Sequence, residues 1–241
     1  MQVRIATDAP ASVRAGALVV PVFTGSSLDG VAKSIDAELG GAAGEVLSSG
    51  EIKGKLSELS LVHAHDKPYK RVLLIGLGDV SKFEPWMLAR YAGAAVRYLG
   101  RRNVRDVAFA LPAQAKGNET ACASFLIEGA IAGSFDTSIY QKDPEKRSGA
   151  ENVTILAEGL DKDALQVGVQ RGEILGDAVN FARRLAITPA NDMTPTILAD
   201  EASKAAKEHG FDVEVFDEAQ CRELGMGSFL SVAQGLSLIH I

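Results

Sequence analysis

Short apolar runs alternate with helical patterns through the first 160 residues of the chain. Residues 17–23 (ALVVPVF) and 71–77 (RVLLIGL) are continuous apolar stretches, rich in β-branched side chains and bounded by turn formers, which predicts buried strands. Residues 107–111 and 153–157 carry the same signature, and 59–65 a weaker one. Between them Leu28, Val31, Ala32, Ile35 and Leu39 recur at helical spacing until Gly40-Gly41 stops the pattern. Helices are predicted next over 84–99 and 119–132. Strands separated by helices need crossover connections, so the expected fold class is α/β, a mostly parallel central sheet flanked by helices on both faces.

Residues 141–152 (QKDPEKRSGAEN) are polar and read as a surface loop before the last strand of this first domain. A long helix is predicted over 163–185, with Val167, Ile174, Ala178, Phe181 and Leu185 spaced seven, four, three and four apart. Gly172 and Gly176 lie one turn apart on it and allow a neighbouring backbone to come close. Pro189 and Pro195 then forbid a continuous helix. Thr194-Pro195 is a helix start, a hydroxyl cap with proline in the first turn, and Gly210 ends that helix. Its four-residue pairs Asp200/Lys204 and Lys204/Glu208 add small stabilisation. Residues 211–216 (FDVEVF) alternate as a strand, and 220–224 form a short helix. The expected organisation is a domain over 1–160, a linker helix over 161–186, the start of a second α/β domain over 187–235, and a tail of 236–241.

Composition narrows the function. The 241 residues correspond to about 1.6 domains at roughly 150 residues each. A net charge of -6 with no long basic run disfavours nucleic acid and anionic lipid as partners. Arg97, Arg101, Arg102 and Arg105 cluster at a predicted helix end, where cations complement the dipole. The two cysteines, Cys122 and Cys221, are too few for a four-thiolate zinc site or a disulfide framework and read as small buried hydrophobes. With no signal peptide and no run of membrane-spanning length, a cytoplasmic location is expected.

Candidate chemistry is sparse. Gly76-Leu77-Gly78 follows a strand where a dinucleotide fingerprint sits, but the third glycine is replaced by Ser81 and Asp79 adds negative charge, so a strand-to-loop turn is the better account. His63 and His65 share one face of a strand, yet only Asp66 lies near as a further ligand, so the pair reads as a half-exposed strand end. His209 falls in a last helical turn, and His240 is the penultimate residue of the sequence. No nucleophile elbow, phosphate loop or metalloprotease helix motif is present, and the acidic residues are scattered.

The stretch Gly176-Asp177-Ala178-Val179-Asn180-Phe181-Ala182-Arg183-Arg184-Leu185, running into Thr188-Pro189-Ala190-Asn191-Asp192-Met193-Thr194-Pro195, carries more information. With Leu224-Gly225-Met226-Gly227 and Gln234-Gly235 further on, it resembles the leucyl (cytosol) aminopeptidase family at the junction of its N-terminal and catalytic domains. Leu18-Val19-Val20-Pro21-Val22-Phe23, Leu28-Asp29-Gly30, residues 50–55 and Val72–Gly78 agree with that N-terminal domain. The resemblance implies a macro-like N-terminal α/β domain that serves assembly. It also implies a homo-hexameric exopeptidase releasing N-terminal amino acids, leucine prominently, from peptides with a free N-terminus. Two divalent metal ions, manganese or zinc, are implied, held by a Lys and several Asp and Glu and assisted by a second Lys, an Arg and bicarbonate. All of those motifs lie beyond the position matching Gly235. No catalytic, cofactor-binding or metal-binding residue is therefore assigned in this chain, and the chain alone is expected to be inactive.

Residues 236–241 (LSLIHI) depart from the family pattern and are expected to be non-native sequence. A stub of the second domain would leave Phe229, Leu230 and Val232 exposed and prone to association. Two other functions stay open. One is a standalone binding module taking an ADP-ribose-like ligand at the loops after Phe23 and Leu77, near Gly25, Gly76 and Gly78. The other is a purely assembling domain.

Overall fold

The computed structural model describes residues 1–7, 12–142 and 148–235. The middle of the expected polar loop (143–147), the tail 236–241 and His240 lie outside the described residues. The chain divides into two compact units, 1–180 and 181–241.

The first unit is built on a six-stranded sheet of order β1-β6-β5-β2-β4-β3. Its strands are β1 (Gln2–Ala6), β2 (Ala17–Phe23), β3 (Leu59–His63), β4 (Arg71–Gly78), β5 (Asp106–Ala110) and β6 (Asn152–Leu156). Only β3 runs antiparallel, against β4; the other pairs are parallel. The expected α/β class, with a mostly parallel sheet, is what the chain adopts. All seven residues of β2 are buried, as strands covered on both faces must be. β1 is an addition to the sequence reading: it pairs with β6 at the sheet edge, from Gln2↔Asn152 to Ala6↔Leu156.

One face of the sheet packs on α1 (Gly30–Glu38), α2 (Ala42–Ser48) and the segment after it, through Ala32, Ile35, Ala43 and Ile52 against Leu18, Val20 and Leu74. The sequence reading missed α2, because Gly40 and Gly41 mark a stop and both have positive φ; a new helix begins at once on the far side. The other face packs on α3 (Met87–Gly100), α4 (Glu119–Ser134) and the first turns of α5 (Lys162–Ile187). α4 is apolar all round because it is covered on several sides. Small residues let its neighbours approach: a Cβ at Gly129 would stand 2.1 Å from the Ala89 carbonyl oxygen of α3, and one at Gly172 of α5 would stand 2.5 Å from that of Ser124. The close backbone approach expected at Gly172 is therefore real and Gly168 extends it against Thr120, whereas at Gly176 the neighbour is the Ile131 side chain and not a backbone. The apolar positions Val167, Ile174 and Ala178 face solvent instead, Ile174 with 71% of its surface exposed.

The second unit holds the end of α5, α6 (Pro195–His209), α7 (Glu218–Glu223) and α8 (Gly227–Gly235). Thr194 caps α6 by accepting from the Ile197 amide, and Gly210 ends it in the left-handed region. Glu201, not Asp200 or Glu208, pairs with Lys204, at 2.8 Å, and reaches Arg184 at 3.5 Å. Residues 211–216 form no strand among the described residues, contrary to their alternation: Phe211 and Val215 are 55% and 51% exposed. Alternation specifies a ladder only where a partner strand is present. Ala206 and Cys221 are the buried apolar residues of this unit among those described.

Candidate functional site

The singled-out residues mostly serve structure. His63 ends β3 and is exposed; His65 lies beyond the strand, and both stand apart from any metal-holding group. Among the described residues no three His, Cys, Asp or Glu side chains converge to hold a metal ion, so the residues present do not fit a metal pair. Cys122 is buried, and burial, reinforced by the charge of Glu119, pushes its thiol up to about 12. Such a thiol is inert. Arg102 stacks 3.7 Å over the Tyr98 ring and donates to the Tyr98 carbonyl, while Arg105 pairs with Glu151. His209 sits in the last turn of α6 as expected.

The glycines after β2 and β4 separate. Gly76 lies inside β4 under the 54–55 segment, and a Cβ there would meet the Lys55 carbonyl oxygen at 1.9 Å. Gly78 ends β4 with φ 82° and exchanges backbone hydrogen bonds with Gly54 and Thr24. Gly76 is therefore covered by chain while Gly78 is half-buried, and neither is among the residues lining the two cavities at this end of the sheet, whereas the binding-module reading placed both near a ligand. Asp79 accepts from the amide and hydroxyl of Ser81, and these bonds hold its carboxyl below the usual carboxylate range. No phosphate-facing helix begins there, since α3 starts only at Met87.

Two concavities remain at the carboxyl ends of the parallel strands, the place where open α/β sheets bind ligands. The first opens where β2 and β5 part. Their ladder stops at Val19↔Phe109, and Pro21, which has no N–H for a ladder, lines a crevice of about 360 Å³ with Phe23, Leu111 and Pro112. Asp29, the N-cap residue of α1, stands on its wall without a side-chain capping bond. The second, of about 650 Å³, lies between the loop after β2 and helices α1 and α2. Thr24, Gly25, Ser26 and Ser27 from the loop, Lys33 and Asp36 from α1 and Lys53 after α2 line it. Of the three glycines expected near a ligand, Gly25 alone lies on either wall. No sequence signal announces this second cavity, because its polar groups come from segments about 25 residues apart that α1 and α2 fold together.

Fold and site together define an α/β unit with helices on both faces, continued by a long helix into a second, mainly helical unit. Residues 19–144 match the N-terminal domain of the cytosol aminopeptidase family, and residues 180–239 match that family's catalytic domain. The chain belongs to the cytosol aminopeptidase family. A protein of Solibacter usitatus named "Probable cytosol aminopeptidase" is 39% identical over 98% of this chain and 46% of its own length. The cytosol aminopeptidase of Pseudomonas aeruginosa is 32% identical over 98% of this chain and 48% of its own. The chain thus spans about half the length of the curated relatives it matches. A tomato leucine aminopeptidase mutant shares the fold with a TM-score of 0.78 at 23% identity, covering 93% of this chain and 46% of its own. The bottromycin maturation enzyme BotP, solved in complex with Mn, superposes with a TM-score of 0.63 at 21% identity, over 88% of this chain and 40% of its own. No helix among the described residues is long and apolar enough to cross a membrane.

Proposed function

We propose that the whole protein to which this sequence belongs is a metal-dependent aminopeptidase that releases N-terminal amino acids, leucine preferred, from peptides in the cytoplasm. The observation that carries this reading is the ordered match to both family domains in one chain, with a relative 39% identical along 98% of it. The two divalent ions, manganese or zinc, are held by residues of the catalytic domain beyond the position matching Gly235, and the working assembly is a homo-hexamer. Domain boundaries near 160 and 187 separate a non-catalytic N-terminal domain, a linker helix and the start of the catalytic domain. Because no metal-holding group forms among the described residues, no step of the reaction is assigned to side chains of this chain.

The chain by itself is inactive on this reading. Purified and supplied with Mn2+, it gives no release of p-nitroaniline from leucine p-nitroanilide above buffer; turnover would overturn the inactivity. Sequencing the source DNA past the codon for Gly235 yields the longer product for the complementary assay. That product hydrolyses the same substrate and loses activity when a chelator strips the metal. A longer product that carries metal yet releases no amino acid from any peptide would end the aminopeptidase reading.

A further inference from the structure

We propose that the 650 Å³ cavity between α1, α2 and the loop after β2 is a binding site for a small organic anion with an apolar body. Its volume lies within the range that holds small molecules. The lining divides into two chemistries. Leu28 and Leu47 supply a half-buried apolar wall backed by the buried Ile52, and an apolar group laid on it removes apolar surface from water, which is favourable. Lys33 on α1 and Lys53 after α2 supply two cations from separate elements. Among the described residues neither ammonium makes an ion pair or a side-chain hydrogen bond. The acidic group on the same lining, Asp36, is tied down: its Oδ1 accepts from the Gly44 amide at 2.9 Å, fastening α1 to α2. Glu58, beside the Lys53 backbone, is likewise occupied by the amides of Lys53 and Lys55.

Two unpaired cations in a concave site raise the local concentration of anions. A bare inorganic anion would satisfy them but leave the apolar wall wet. An uncharged apolar molecule would cover the wall and leave the ammonium groups without a partner. A carboxylate or phosphate monoester with a hydrocarbon part answers both. The site is built from residues of the N-terminal unit alone, so its test stands or falls independently of the reading above.

The test is backbone amide NMR on the full 15N-labelled chain, titrated with octanoate and, as a charge-reversed match of the same apolar body, octylammonium. Octanoate is expected to produce saturable shifts grouped at Gly25, Ser27, Gly44, Ser48 and Lys53, with octylammonium giving none there. Lys33 and Lys53 are exposed, so the variant Lys33→Glu/Lys53→Glu keeps the fold, seen as unchanged amide shifts elsewhere, and is expected to weaken octanoate at least tenfold. Octanoate shifts that are absent or scattered over other surfaces overturn the proposal. So do equal shifts with octylammonium, or undiminished affinity in the variant.

Discussion

Gly76 shows how tightly one residue can be specified. Its Cα lies under the 54–55 segment so closely that a methyl group would reach 1.9 Å from the Lys55 carbonyl oxygen. The obstruction is backbone and has no rotamer to escape into, so Gly76→Ala is expected to lower unfolding free energy by about 3 kcal/mol. Urea denaturation measures it, and a loss under about 0.5 kcal/mol would show that the segment lifts away freely. The glycine was legible in the sequence as a residue needing explanation, but its reason was not, since the covering segment lies some 20 residues upstream. Cys122 was legible outright as a small buried hydrophobe. With its thiol raised to about 12, it is expected to resist iodoacetamide at pH 8 in the folded chain and to react once urea unfolds it. The sign of the linkage follows: a folded pKa above the unfolded value stabilises the fold fully below about pH 8.5, and that contribution is lost as pH rises toward 12.

At the scale of elements, the seam between α4 and α5 depends on the absence of side chains. Val at Gly172 would press its Cβ to 2.5 Å from the Ser124 carbonyl oxygen, so Gly172→Val is expected to separate the helices and lower the melting temperature by several degrees; an unchanged melt would refute the seam. Thr194→Ala removes the capping oxygen of α6 and is expected to cost about 1 kcal/mol, seen as faster amide exchange in its first turn. These elements were readable because a cap, a proline and a glycine pair act locally. The errors fell where structure depends on distant partners. β1 has only five residues, two of them Gln2 and Arg4, and owes its strand state to β6. Phe211, Val213 and Val215 alternate correctly yet have no ladder to join among the described residues. The 650 Å³ cavity was invisible for the same reason, its two lysines lining one concavity only once the chain through α1 and α2 has folded.

For the molecule as a whole, the two units differ in how they are held. The first contains both large apolar clusters, whereas the second buries only Ala206 and Cys221 among its described apolar residues. Limited proteolysis is accordingly expected to cut first within 211–217, leaving a resistant piece that includes residues 1–180; early cleavage inside the sheet would contradict this. Phe229 and Val232 are 62% and 65% exposed on α8, as the sequence led one to expect, while Leu230 is half-buried. Light scattering is expected to give a mass above 25.4 kDa that rises with concentration, and Phe229→Ser/Val232→Ser to return it toward that value. A monodisperse chain of the unmodified sequence would count against association through α8.

The edge strand β1 sets a schedule for synthesis. Its partner lies 150 positions later, Gln2 meeting Asn152, and among the described residues its strand pairing is to β6 alone. A ribosome adding about 5–20 residues per second needs about 8–30 s to bring that partner out. Through that interval β1 waits without its ladder while β2, β4 and β5 can already assemble, so the β1 edge of the sheet is the last to close.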